Sequence, residues 1–279
     1  MNHEQRTLEF YLLAGFFALF VLFLYGPLSA VLILSFQGPN GGLTFPLNGL
    51  SLHWFYNLFE KQAVGDFGAS FRRSFTLGLM VMVVNIVVAL LAGLAFRHRF
   101  KGATALFYLT VASLVVPSII ISLGIGVVFQ QFGLKPAWYS SGFGAHLTWT
   151  LPFGVLIMFA VFNRFSPAYE EAARDLGATP WQTFRHVVLP MIAPSLIGVG
   201  LFGFTLSYDE FARTLMTSGS YNTLPLEIYG MTTNVTTPVL YALGTVTTLF
   251  SFTIILVALA VILTLRRRQA KMSQVRCAF

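Results

Sequence analysis

Residues 74–101 read SFTLGLMVMVVNIVVALLAGLAFRHRFK. No charged side chain occurs between Ser74 and Phe96, and a run of that length exceeds the roughly 18 apolar residues that mark a bilayer-spanning helix. Arg97, Arg99 and Lys101 then end it, as basic clusters do where a span emerges on the cytoplasmic side. Five further runs have the same character, at about 10–36, 105–131, 147–163, 191–206 and 239–265. The composition agrees: 56% of the 279 residues are hydrophobic and only 10% are charged, where soluble domains carry roughly a quarter. The reading is an all-α membrane protein with six transmembrane helices, forming one transmembrane domain over residues 1–279.

A net charge of +7 raises nucleic acid as a partner, and the placement of the 17 basic residues decides against it. With a cytoplasmic N-terminus, Arg6, Arg97, Arg99, Lys101, Arg164, Arg174, Arg185, Arg266, Arg267, Arg268, Lys271 and Arg276 fall inside, twelve in all. Lys61, Arg72, Arg73, Lys135 and Arg213 fall outside, making five. That is the positive-inside bias, so the basic balance reports topology, with both termini cytoplasmic. The one cysteine, Cys277, permits no disulfide within the chain. The apolar run from Phe10 is too long for a signal peptide and reads as a retained first helix.

Pro27 permits a bend in the first span. The outer segment after it ends in SLHWFYNLF, residues 51–59, whose aromatic density fits a short helix at the headgroup level; packing against the bundle explains it equally well. Pro117, Gly124 and Gly126 mark the third span as bent or interrupted, although close helix packing also accounts for the glycines. No span carries an ionisable residue near its centre and no internal repeat is evident, which speaks against a proton relay or ion-coupled carrier. His3, His53, His98, His146 and His186 are scattered over both sides, an arrangement unlike a metal site. With no His-Glu-x-x-His helix, Cys pair or Gly-x-Ser-x-Gly elbow, no catalytic residue is expected. Asn234-Val235-Thr236 matches a glycan acceptor at a length that chance supplies.

The polar interval 164–190 is the most informative. Ser166 can cap a helix that opens with Pro167 and carries Glu170 and Glu171 in its first turn, where the dipole favours carboxylates. Gly177 ends that helix as a left-handed cap. Thr179, Pro180 and Gln182 then form a capping box for a second helix, and Pro190 stands at the border of the fifth span. The loop is two short helices meeting at a corner. Glu171-Ala172-Ala173, three residues, Gly177, nine residues and Val187-Val188-Leu189-Pro190 resemble the EAA loop of binding-protein-dependent ABC importer permeases of the type I, MetI-like fold, with Val187 where Ile is usual. A solvated linker would explain the helix ends and not this spacing.

The resemblance implies that Glu170, Glu171, Ala172, Ala173, Asp175, Gly177, Leu189 and Pro190 couple the chain to an ATPase. The loop would be a cytoplasmic two-helix coupling element, seated in a cleft of the ATPase whose closure moves it. Spans two to six would form the core and span one would wrap outside. The implied partners are a second, similar permease chain, a dimer of ATP-binding subunits and a periplasmic substrate-binding protein, in the inner membrane of a bacterium. The chain has no Gly-rich phosphate loop ending in Gly-Lys-Ser/Thr. ATP and Mg are therefore expected on the partner ATPase, with no cofactor on this chain.

Within that family the chain most resembles the spermidine/putrescine permeases, through Tyr25-Gly26-Pro27, the aromatic segment, the EAA loop, Ser207-Tyr208-Asp209-Glu210-Phe211 and Thr223 to Tyr229. Tyr208 stands where Phe is commoner. A small cationic substrate is implied. Carboxylates replace water around an ammonium group and aromatic faces attract it, so Tyr208, Asp209 and Glu210 are candidates for the substrate path or gate. The competing reading has both acids binding Arg213 or the docked binding protein. Related permeases carry amino acids or other amines, thiamine, phosphonates or ferric ion, and an ATP-independent carrier is the more distant alternative.

Overall fold

The structure, a computed structural model, describes residues 8–59, 65–98, 100–234 and 237–276, with side chains up to residue 264 except that of Asn234. His3, Arg6, Lys61, Arg99, Cys277 and the Asn234-Val235-Thr236 match fall outside the described residues or side chains, as do the side chains of Arg266, Arg267, Arg268, Lys271 and Arg276. Contacts gather the chain into two compact units, residues 1–66 with 228–250, and residues 67–227 with 251–279.

The first unit opens with α1 (Leu8–Leu34), which contains Pro27 and buries only Leu34, as a lipid-facing helix does. A loop follows that folds around the side chain of Gln37 and returns through an antiparallel bridge between Gln37 and Leu50. It leads into α2 (His53–Asn57), which buries Trp54.

The second unit starts with α3 (Phe67–Phe96). It begins two turns before the expected Ser74, because Ser70 and Ser74 are buried and Arg73 is engaged by Asn222, so the polar start packs on protein. The expected third span is two helices, α4 (Ala103–Ala112) and α5 (Ser118–Gln131). Pro117 is the reason: it lacks an N–H, disfavours helical backbone at Val116, and itself adopts φ −57°, ψ 132°. At about 1.5 Å per residue, ten and fourteen residues reach about 15 and 21 Å, short of a hydrocarbon core of about 30 Å. Among the described residues, five helices rather than six are long and apolar enough to cross a membrane.

The next span is also longer than its apolar core. A π-helical turn, Trp138–Gly142, runs into α6 (Phe143–Asn163), and Pro152 lies inside that helix. After α7 (Ala168–Asp175), helix α8 (Pro180–Thr183) continues through a second π-helical turn, Phe184–Val188, into α9 (Leu189–Tyr208). Pro190 therefore breaks nothing. Its missing N–H falls where the π turn has already offset the hydrogen-bond ladder. The second loop helix and the fifth span form one 29-residue rod, Pro180–Tyr208.

Two helices close the chain. α10 (Leu224–Asn234) is absent from the sequence reading, although Pro225 and Glu227 in its first turn were legible start signals. α11 (Val239–Arg276) runs past the basic triplet 266–268, which ends the apolar run and not the helix.

The core of the second unit lies among α3, α6 and α9, around Ala89, Met158, Phe162, Val188, Ile192, Leu196 and Val199. Small residues permit the close approach that membrane helices need. A Cβ on Gly203 would stand 2.5 Å from Asn85 Nδ2, and one on Gly154 would strike Asn85 Oδ1. Asn85 thus sits in notches of two neighbouring helices, donating to the Val199 carbonyl at 3.2 Å while its Oδ1 has no partner.

Candidate functional sites on the 164–190 loop and the elbow after α9

The second unit carries both of the loops that the sequence singles out. On the first, Pro167 has helical dihedrals, φ −63° and ψ −21°, and α7 follows from Ala168. Ser166 contributes its carbonyl to the Tyr169 N–H at 3.4 Å. Gly177 has φ +83°; its N–H meets the Arg174 carbonyl at 2.8 Å and the Ala178 N–H meets the Ala173 carbonyl at 3.0 Å, a Schellman closure. The capping box is present: the Gln182 N–H donates to Thr179 Oγ at 3.3 Å and the Thr179 N–H to Gln182 Oε1 at 2.8 Å.

A contact that the sequence did not disclose holds this loop. Arg97, just beyond α3, grips Glu170 with both guanidinium nitrogens, at 2.9 and 2.5 Å. The guanidinium also lies 5.2 Å from the Phe162 ring centroid and 5.4 Å from that of Phe165. The hydrogen bond from Arg97 holds the Glu170 carboxyl below the usual carboxylate range, against an opposing effect of burial, and the same bond raises Arg97.

Of the other expected coupling residues, Glu171, Ala172, Asp175, Gly177 and Pro190 are exposed, Ala173 is half-buried, and Leu189 packs on the α3–α6–α9 core. Two large apolar side chains on the loop face outward without having been singled out: Leu176 is 90% exposed and Trp181 65%. An apolar residue beside a turn in a polar interval was the available signal.

The second loop, 209–222, is an elbow pinned by buried side chains. Tyr208 ends α9 only 3% exposed, stacked on Phe204 at 5.8 Å and meeting Phe71 edge-on. Asp209 is exposed, whereas Glu210 is buried. The Glu210 carboxylate accepts the Arg213 N–H at 2.9 Å and lies 3.8 Å from its guanidinium. Arg213 in turn donates to Thr148 Oγ at 3.2 Å and Ser118 Oγ at 2.6 Å and sits 4.8 Å over the Trp149 ring.

His146 ties three elements together. Its Nδ1 is 2.8 Å from Ser207 Oγ and its Nε2 3.1 Å from Thr214 Oγ. Because Thr214 gives its own hydrogen to the Glu210 carbonyl, Nε2 is the donor in its bond to Thr214, and both ring nitrogens are satisfied. Ser122 Oγ donates to the Arg213 carbonyl and accepts the Met216 N–H, and Ser141 donates to the Thr217 carbonyl. The elbow then reaches α3, where Arg73 donates to the Asn222 carbonyl and the Leu224 N–H to Ser74. Among the described residues no His, Cys, Asp and Glu cluster could hold a metal ion.

Residues 85–271 match the family described as binding-protein-dependent transport system inner membrane component. The chain belongs to that family. It is thus a multi-span permease subunit of an ABC importer, and ATP hydrolysis is the work of a separate subunit. The permease is 27% identical over 252 residues to the spermidine/putrescine transport system permease protein PotC of Haemophilus influenzae, covering 90% of this chain and 96% of that one. It is 27% identical over 231 residues to the putrescine transport system permease protein PotI of Escherichia coli, covering 80% of each. Its fold is that of a chain in the crystal structure of a bacterial ABC transporter involved in the import of the acidic polysaccharide alginate, with a TM-score of 0.68 at 17% identity, over 93% of this chain and 95% of that one.

Proposed function

We propose that this permease forms the translocation path for a polyamine such as spermidine or putrescine. Both halves of the broken span, α4 and α5, count in this reading as one of six crossings of a single permease domain, with both termini and the 164–190 loop on the cytoplasmic side. A second homologous permease, a dimer of ATP-binding subunits and a periplasmic binding protein complete the importer. The observation that carries the coupling role is the make-up of the loop. α7 is braced from within by Arg97–Glu170, Leu176 at its end and Trp181 on α8 are exposed, and α8 is continuous with α9 up to the elbow. At about 1.5 Å per residue that rod is about 44 Å long, so a push at Trp181 is delivered at Tyr208. Likeness to the polyamine permeases supports the substrate, with Asp209 as the acid free to meet an ammonium group at the mouth.

A second reading has observations of its own. With Glu210 paired to Arg213, the elbow offers a polycation one free carboxylate fewer, which leaves an anionic solute such as a phosphonate as the competing substrate. ATP-driven uptake by proteoliposomes holding the full transporter separates the two. Saturable uptake of labelled spermidine or putrescine, undiminished by phosphonates, supports the first; phosphonate uptake with no polyamine uptake overturns it.

A further inference from the structure

No Asp, Glu, Lys or Arg occurs between Phe10 and Phe59. The first 25 of these residues belong to α1, whose 27 residues measure about 40 Å at 1.5 Å per residue, more than the roughly 30 Å of a hydrocarbon core. The loop that follows therefore starts in the headgroup layer. A water-facing loop leaves its carbonyls to solvent, but here several are met from inside. The fully buried Gln37 amide donates toward the carbonyls of Gly42, Thr44 and Pro46, at 3.2, 3.5 and 3.4 Å, and its Oε1 accepts the Asn48 N–H at 2.7 Å. Tyr241 Oη donates to the Leu43 carbonyl, and the Ser51 N–H to the Phe36 carbonyl. In α2, Asn57 Nδ2 and His53 Nε2 bond each other at 2.9 Å.

Trp54 and Leu58 are buried, but other apolar side chains of the segment are not. Phe45, Leu50, Leu52 and Tyr56 are exposed, Leu50 at 79% and Tyr56 at 71%. Internal satisfaction of backbone polar groups is what a hydrocarbon environment demands of any segment within it. A protein-docking face, in contrast, is framed by a polar, solvent-accessible rim. We propose that residues 36–59 are an interfacial membrane anchor, laying Phe45, Leu50, Leu52 and Tyr56 into the lipid at the C-terminal end of α1 and turning the exposed Asn40, Thr44 and Asn48 toward water. Its occupant is lipid, and its function is to fix the height of α1 in the bilayer while the rest of the transporter changes state.

The test uses the whole transporter in lipid nanodiscs, with Cys277→Ser and the other cysteines replaced by serine, and a nitroxide attached at Leu50→Cys, Tyr56→Cys or Asn48→Cys. Leu50 and Tyr56 are exposed, so cysteine there removes no packing. Collisional relaxation by oxygen, which partitions into lipid, should exceed that by a water-soluble nickel chelate at Leu50 and Tyr56, with the order reversed at Asn48. Adding Gln37→Ala should shift the Tyr56 label toward nickel. Low relaxation by both reagents at Leu50 and Tyr56 would mean cover by a partner subunit and overturn the proposal. Dominant nickel relaxation would overturn it as a water-facing loop, and indifference to Gln37→Ala would overturn it too, because the Gln37 hub is what holds the segment in its lipid-facing conformation.

Discussion

Removing Arg97 should loosen α7 more than any other single change outside the core. The Arg97 and Glu170 side chains are 21% and 15% exposed, so their pair falls between a surface bridge, worth about 0–1 kcal/mol, and a buried charge-assisted bond, worth about 1.5–3 kcal/mol. With two parallel bonds and residual solvent screening, a coupling of about 1.5 kcal/mol is expected. Arg97→Ala also forfeits the faces of Phe162 and Phe165, adding about 0.5–1 kcal/mol. Since about 1.4 kcal/mol is tenfold in population, the open fraction of α7 should rise about tenfold in Glu170→Ala and several-fold more in Arg97→Ala. Amide hydrogen exchange over residues 168–178 of the permease in nanodiscs reads this directly. Arg97→Lys keeps the charge but not the fork and should recover about half of the protection. The pH sign is fixed by Glu170, whose carboxyl is depressed: the stabilisation is fully present above the ordinary Glu value of about 4.3 and disappears as pH falls through the lower folded value. Additive effects in the double alanine variant, or wild-type exchange in either single one, would refute the bracing argument.

Replacing Gly177 by Ala forces a side chain to φ +83° at a cost of about 1–2 kcal/mol, with no clash to complicate it; ATP-coupled uptake should fall while the permease still inserts, as cell-surface yield will show. Leu176→Ser with Trp181→Ser should weaken co-purification of the ATP-binding subunit without lowering the thermal stability of the permease, because neither side chain packs in the core. Glu210→Gln strands the buried Arg213 and should cost about 3 kcal/mol, seen as lost assembly in detergent size-exclusion; Asp209→Asn should assemble normally and change only uptake. Asn85→Leu should be neutral to within about 1 kcal/mol, since it removes one hydrogen bond and one unpartnered buried oxygen together, whereas Asn85→Ala should lower the unfolding temperature in nanodiscs by leaving the notch empty.

The candidate gate residues mark the limit of what the linear sequence discloses. Tyr208, Asp209 and Glu210 are consecutive and share one sequence rationale, yet the structure separates them into an aromatic stack, an exposed acid and a buried partner of Arg213. Burial is set by what packs around α9, and α3, α5 and α6 supply that from more than sixty residues away. His146 was passed over as one of five scattered histidines for the same reason, since its partners Ser207 and Thr214 lie 61 and 68 residues along. The interruption of the third span was marked by Pro117, but the span count was not, because length alone does not say whether a bent apolar run stays one helix.

What the chain's order of residues determines here is local: apolar runs long enough to need lipid, the left-handed turn at Gly177, the capping box at Thr179, and the residue spacing over 171–190. Each depends on hydrogen bonds closed within a few residues, so each can be read without knowing the neighbours. The brace between Arg97 and Glu170, 73 residues apart, and the anchoring of Arg213 on Ser118, 95 residues away, were decided only when the helices packed. A charge in a membrane protein takes its role from whichever group shares its burial, and that group is chosen by tertiary contact.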